Sequence, residues 1–182
     1  MEVKNNKVAV LIDAENTNAA NARQIFDTMS AYGEVIIRQI FADWSNEAVK
    51  NWKNAISNFS IVSNQQFSYV SKKNSSDIAL VIQAMNILFE RDVDIFCLVS
   101  SDSDFTRLVQ ELRERGKTVI GMGGRTSVKP FVNAFTEFLY LGEDVAKAEP
   151  KAEAKKAEPE PVKEPAAPAK EEPRIESFIE VN

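Results

Sequence analysis

The chain predicts an α/β domain: a parallel sheet of about five strands with helices on both faces. Short apolar runs rich in β-branched residues, Val8-Ala9-Val10-Leu11-Ile12 and Ile95-Phe96-Cys97-Leu98-Val99, are continuous rather than alternating. That pattern suits strands buried on both faces of a parallel sheet. Segments of this kind then alternate with helix-length stretches, the order that covers a parallel sheet on both sides. Glycines at positions 33 and 116 follow two of those stretches as helix stop signals.

The first strand is expected over Lys7–Ile12, where the apolar run ends at Asp13, and a helix over Asn18–Tyr32 closes at Gly33. A second strand over Glu34–Ala42 is followed by a helix over Glu47–Asn58 and a strand over Ser60–Gln65. The Ser75–Glu90 stretch places Asp77, Val81, Ala84, Met85 and Leu88 on one stripe by three- and four-residue steps, which predicts a helix with Asp77 in its first turn. The strand Ile95–Ser100 leads to a helix over Asp104–Arg115, then a strand over Thr118–Met122 and a helix over Lys129–Thr136. Phe138–Leu141 is a weaker strand signal. No period of twenty to fifty residues repeats, so a solenoid is not expected.

This domain is expected over residues 1–142. From 143 to 182 the composition changes to Ala, Glu, Lys and Pro, with six of the seven prolines. Such a segment buries too little apolar surface to offset the entropy of ordering, so a disordered tail is expected. Its last apolar residues, Ile175, Phe178, Ile179 and Val181, offer a short docking motif for a protein partner, against the simpler reading of a flexible spacer. Charges in the domain nearly cancel, so most of the net charge of −5 comes from the tail. Binding to nucleic acid would then need a local basic patch. There is no histidine, which removes Ser-His-Asp and Cys-His catalysis and every His-containing zinc site. The single cysteine, Cys97, can make no internal disulfide, and polar residues follow Met1 directly. With no membrane-length apolar run, these features lead to an expected soluble, cytoplasmic protein.

Four aspartates occupy the chemically interesting positions. Asp13 ends the first strand, Asp102 and Asp104 follow the strand of Ile95–Ser100, and Asp77 opens a helix. Acidic groups just past the carboxyl ends of parallel strands lie where open α/β sheets bind ligands. Carboxylates brought together repel, so a divalent cation would neutralise them. Each has a plainer role as well. Asp102 suits an N-cap, and Asp77 suits a cap or a dipole partner, although Ser75 or Ser76 could cap in its place. Asp13 is harder to explain plainly, because an ionised group at the end of a buried strand is costly unless paired or metal-bound.

The phrases Ile12-Asp13-Ala14-Glu15-Asn16, Lys73-Asn74-Ser75-Ser76-Asp77, Ser100-Ser101-Asp102-Ser103-Asp104-Phe105 and Gly116-Lys117-Thr118-Val119 resemble the NYN family, specifically its LabA-like branch. Gln65-Gln66-Phe67 and Phe138-Leu139-Tyr140-Leu141 add to the likeness, which runs from about Lys7 to Leu141. The resemblance implies a PIN-like fold and a ribonuclease that cuts RNA with Mg²⁺ or Mn²⁺ held by aspartates. It implies Asp13, Asp77, Asp102 and Asp104 as metal ligands and catalytic residues, with Asn16 orienting water or phosphate. One departure is Gln83, where close relatives usually carry a second helix aspartate; Asn86 likewise replaces a common acidic residue. Many relatives continue into a helical RNA-binding module after the domain, which is either absent from this protein or cut off from the sequence.

Oxygen ligands without imidazole or thiolate select Mg²⁺ or Mn²⁺ over zinc. Lys73, Arg107, Arg125 and Lys129 lie where they could grip single-stranded RNA, although such a residue is more often just a solvated side chain. Trp44 could stack on a base or cover the core. Gly121-Met122-Gly123-Gly124 could cradle a phosphate through backbone N–H groups. The competing function is a non-catalytic RNA- or protein-binding module on the same fold. A receiver domain or an aspartate-nucleophile phosphatase fits worse, since Glu15 stands where the latter would carry Asp. Oligomeric state is not legible.

Overall fold

The computed structural model describes residues 6–67 and 74–142; Lys72, Lys73 and the tail expected from 143 onward lie outside the described residues. The strands are β1 (Lys7–Asp13), β2 (Glu34–Ala42), β3 (Val62–Gln65), β4 (Ile95–Val99), β5 (Thr118–Gly123) and β6 (Glu137–Tyr140). The helices are α1 (Ala22–Ser30), α2 (Lys53–Asn58), α3 (Ser75–Glu90), α4 (Thr106–Glu114) and α5 (Lys129–Ala134). All strands pair in parallel, in the order β3-β2-β1-β4-β5-β6.

The expected α/β architecture is therefore present, with six strands rather than about five. The weak signal near Phe138 is a full edge strand whose Leu141 N–H reaches the Gly123 carbonyl at 2.9 Å. It is only four residues long, which is why its sequence pattern is faint. Three of the expected helices begin as 3-10 turns, at Ala19–Asn21, Glu47–Trp52 and Ser103–Phe105, and become regular helices only afterwards.

Each face of the sheet carries its own core. Val8, Val10 and Ile12 of β1 pack with Cys97 and Val99 of β4 against Ile25, Met29 and Trp52 on the α1 and α2 side. Ala9 and Leu11 pack with Phe96 and Leu98 against Leu80, Leu108 and Phe131 on the α3, α4 and α5 side. The strict alternation in β1 and β4 explains why both runs are apolar throughout. At about 25 cal/mol per Å² of buried apolar surface, these two layers supply the main drive for folding. Helix α3 is apolar nearly all round. It buries Leu80, Ala84 and Ile87 but leaves Ile78, Ile82 and Phe89 more than half exposed.

The two stop glycines act differently. Gly116 has φ +76°, the left-handed conformation that ends a helix without a Cβ penalty. Gly33 has no such φ; a Cβ there would lie 2.2 Å from the Asn6 carbonyl oxygen, so close backbone approach requires it. Among the described residues, no helix is long and apolar enough to cross a membrane.

Candidate metal centre

The strand order reverses between β1 and β4, which run side by side with Ile12 opposite Val99. Open α/β sheets bind ligands outside the carboxyl ends of the strands at such a switch point. The next residues, Asp13 and Ser100, continue the alternation onto the face covered by α3. Both are buried, Asp13 at 1 % exposure.

Asp13 is held by four donors. Its Oδ1 accepts from the backbone N–H groups of Glu15 (3.2 Å) and Asn16 (3.3 Å). Its Oδ2 accepts from the Asn16 carboxamide and the Ser100 hydroxyl, each at 2.8 Å. Burial pushes its pKa up, and the bonds from Asn16, Ser100 and Glu15 oppose that rise. The four bonds meet part of the cost of placing a carboxylate here, and the net upward shift leaves room for a cation to meet the rest. The sequence argument that Asp13 demands pairing or metal is met in part by hydrogen bonds.

Ser100 joins the two strand ends. Its hydroxyl donates to Asp13 and accepts from the Asp102 N–H at 3.0 Å. Asp102 then caps the turn at Ser103–Phe105, its Oδ1 accepting from the Asp104 N–H at 2.9 Å, so the plain capping role is real. Asp104 accepts from the Asn74 carboxamide at 3.3 Å. The start of α3 corrects another expectation: neither Ser75 nor Ser76 caps it. Asn74 holds the cap position without a side-chain bond to the helix, and the buried Ser76 donates to Glu15 Oε2 at 3.3 Å.

Asp77, in the first turn of α3, is half-buried and its pKa is pushed up to about 6. Burial is the largest cause, followed by repulsion from Asp13, Asp102, Glu15 and Asp104. Asp77 therefore feels four other carboxylates across the rim. They converge at electrostatic range rather than ligating range: among the described residues no three acidic or thiol groups are close enough to hold one ion together.

The family model for the NYN domain matches residues 7–142, from the first residue of β1 to just past β6. This chain belongs to the NYN domain family. The NYN domain is a PIN-like nuclease fold, and the acidic rim lies within the matched residues. An uncharacterized protein of Methanocaldococcus jannaschii is 23 % identical over 157 residues, covering 82 % of this chain and 61 % of that relative. The chain thus spans about three fifths of the relative's length. A protein of unknown function from Vibrio parahaemolyticus, known from its crystal structure, aligns with a TM-score of 0.61 at 20 % identity. That match covers 77 % of this chain and 96 % of the other, and speaks for the fold alone.

The predicted cations of this NYN domain differ in their surroundings. Arg107 lies on α4 but pairs with Glu111 at 3.2 Å and Glu114 at 3.3 Å, which draws its guanidinium along the helix. Arg125 is exposed on the loop after β5, its guanidinium over the Tyr140 ring at 5.4 Å. Lys129 is exposed at the start of α5. Lys73 lies outside the described residues. Trp44 packs on the core, with its indole N–H donating to the Asn64 carbonyl at 3.0 Å, so the geometry supports the core-covering role over stacking. The glycine-rich stretch is not an open cradle. Gly121 and Gly123 belong to β5, a Cβ on Gly121 would meet the Phe138 ring at 2.4 Å, and the Gly124 N–H donates to Ser101 at 2.8 Å. Asn16 stands where expected, bonded to Asp13.

Gln83 lies six residues beyond Asp77, about 9 Å further along a helix that runs back from the rim. Its neutral amide removes no carboxylate from the cluster at the strand ends. The sequence missed Glu15, Ser76 and Ser100. Glu15 joins the cluster through Ser76 and through the Asp43 N–H, which reaches its Oε1 at 3.3 Å. For Ser100 the signal was present, since two-residue alternation puts it on the face of Leu98 and beside Asp13.

Proposed function

We propose that this NYN domain is a metal-dependent endoribonuclease, of the LabA-like branch, that hydrolyses phosphodiesters of single-stranded RNA. The observation that carries the proposal is the convergence of Asp13, Asp77, Asp102, Asp104 and Glu15 at the β1/β4 switch point. The donor set fits Mg²⁺ or Mn²⁺: it consists of oxygens, with no imidazole or thiolate. Mg²⁺ commonly binds through one or two carboxylates and keeps its waters, so a rim without three ligating carboxylates still suits it. Asp13 and Asp102 are our first choices as ligands, with Asp77 and Asp104 completing the cluster. When bound, the cation supplies charge neutralisation on the phosphate and activation of water for in-line attack.

The chain's own residues do the rest. Ser100 couples Asp13 to the Asp102 backbone and fixes the spacing of the two strand ends. Asn16 holds Asp13 Oδ2 and would exchange that bond for substrate or ligand. Asp77, ionised in the working site, would accept the proton of the attacking water through its carboxylate. Arg125, Lys129 and Lys73 supply positive charge for the RNA backbone. The lone, buried Cys97 supports a reducing cytoplasm as the location. The tail's closing apolar residues are proposed to engage a protein partner.

The test is cleavage of a labelled single-stranded RNA in Mn²⁺ by the wild type, Asp13→Asn and Asp102→Asn. We expect cutting by the wild type and none by either variant, each variant keeping its circular dichroism spectrum. Undiminished cutting by a variant would sink the site assignment. One observation favours a second reading, a non-catalytic binding module on the same fold: Asp13 is held by four donors without an ion. A wild type that binds RNA but cuts it with neither metal supports that reading.

A further inference from the structure

Beside the acidic rim, on the α1 and α2 side, an open cleft of about 480 Å³ runs between the loop after β1 and the turn Glu47–Trp52. Its lining includes the buried Ala14 and Val49 and four asparagines, Asn16, Asn18, Asn46 and Asn51, of which Asn16 turns its carboxamide to Asp13. We propose that this cleft is a nucleobase subsite, which receives the base next to the scissile phosphate. The proposal rests on the nuclease reading and deepens it by naming where sequence preference arises.

The chemistry of the walls selects the ligand. No lysine or arginine lines the cleft, and its one charged residue is Glu15, so a phosphate is disfavoured there. A neutral, flat group with both donors and acceptors fits, with its ring faces on apolar floor atoms and its edges on amides. The amides are partly oriented in advance. Asn18 Oδ1 accepts from the Ala20 N–H at 2.9 Å, and Asn46 Oδ1 accepts from the Ala48 N–H at 3.0 Å. Each bond fixes the oxygen and leaves the amide nitrogen as a donor. Such a donor can meet an acceptor on a base edge. The volume lies within the range of small-ligand sites, which begins at about 300 Å³.

Position supports the assignment. Asn16 and Glu15 line the cleft and also bond Asp13, Asn16 through its side chain and both through their backbone N–H groups. A nucleotide whose phosphate lies at the rim would therefore have its base within reach of these walls. The Trp52 indole, donating to the Thr17 carbonyl at 3.3 Å, ties the two sides of the cleft together.

The test has two arms. In EDTA, the full-length protein is titrated with adenosine, cytidine, guanosine and uridine while side-chain amide signals are followed by NMR. At least one nucleoside is expected to bind with millimolar affinity, moving the signals of Asn18, Asn46 and Asn51. Ala48→Phe, which fills the cleft from an exposed position, should weaken that binding at least about tenfold. Asn51→Ala should weaken it too, and Asp102→Asn should leave it in place. In Mn²⁺, RNAs varied at one position are cut, and the wild type's base preference should disappear in Ala48→Phe. No amide shift with any nucleoside, or an unchanged preference in Ala48→Phe, overturns the subsite. If nucleosides bind but no RNA is ever cut, the nuclease reading fails and the cleft stands as a nucleobase site alone. If RNA is cut without base preference and no nucleoside binds, the subsite alone fails.

Discussion

Replacing Asp77 by Asn should make the metal-free domain more stable at neutral pH, although it removes a proposed site residue. Folding raises the Asp77 pKa from 3.8 to about 6 through burial and through Asp13, Asp102, Glu15 and Asp104. A raised carboxyl pKa means that the protonated form favours the fold. Its contribution is full below about pH 4 and is lost as pH rises through about 6. At about 1.4 kcal/mol per pKa unit, the charged form costs about 3 kcal/mol above that range. The side chain is only half-buried, and water screens such interactions, so about half of this survives. Asparagine also forgoes an attraction to the N-terminus of α3 worth about 0.5 kcal/mol. The net expectation is about 1 kcal/mol, or roughly 3–6 °C in Tm, at pH 7.5 in EDTA. At pH 4 the two proteins should melt together. Saturating Mn²⁺ should reverse the order, because the wild type gains binding energy that the variant lacks. Thermal melts across pH, with and without Mn²⁺, measure all of this. An Asp77→Asn protein less stable than the wild type at pH 7.5 in EDTA would refute the picture of a mutually repelling rim.

Other expectations follow from the same geometry. Asp13→Ala strands four donors and should cost about 2–4 kcal/mol in urea unfolding, whereas Asp13→Asn keeps the two backbone bonds and should cost about 1 kcal/mol; equal costs would mean that the network carries little. Gly123→Ala would place a Cβ 2.7 Å from the Ser100 carbonyl oxygen. It should destabilise by about 1–3 kcal/mol and weaken Mn²⁺ binding by shifting Ser100; a neutral Gly123→Ala would contradict the tight seam between β4 and β5. Mn²⁺ affinity, measured by calorimetry, should rise between pH 5 and 7, because binding displaces the Asp77 proton, and should level off above the pKa of about 6. A flat pH dependence would remove Asp77 from the ion's surroundings.

Much of this was legible because buried parallel strands write a strong signature. The runs at Val8–Ile12 and Ile95–Val99 place two strands, and their ends place Asp13 and Asp102. The bounds of α3 were readable over its sixteen residues, but the stripe was displaced. Ser76, Leu80, Ala84 and Ile87 are buried, while Val81, Met85 and Leu88 are only partly so, because a helix apolar nearly all round marks its inner face weakly. Short elements left weaker traces: β6 has four residues, and three helices open as 3-10 turns that periodicity does not distinguish. The hydrogen-bond partners of the site were the hardest part. Glu15 and Ser76 meet across 61 positions, and Ser100 and Asp13 across 87, pairings that local pattern does not encode. For Arg107 the local spacing did hold a signal, since its acidic partners Glu111 and Glu114 lie one and two turns along its own helix.

The central claim is that the acidic rim at the β1/β4 switch point holds a divalent cation. Crystals soaked in Mn²⁺ and examined by anomalous diffraction test it most directly. The account predicts a peak about 2.1 Å from a carboxylate oxygen of Asp13 or Asp102, the distance expected of a small hard cation, and no such peak in Asp102→Asn crystals. A saturating soak that leaves the rim without a peak, or places the ion away from both aspartates, would contradict it.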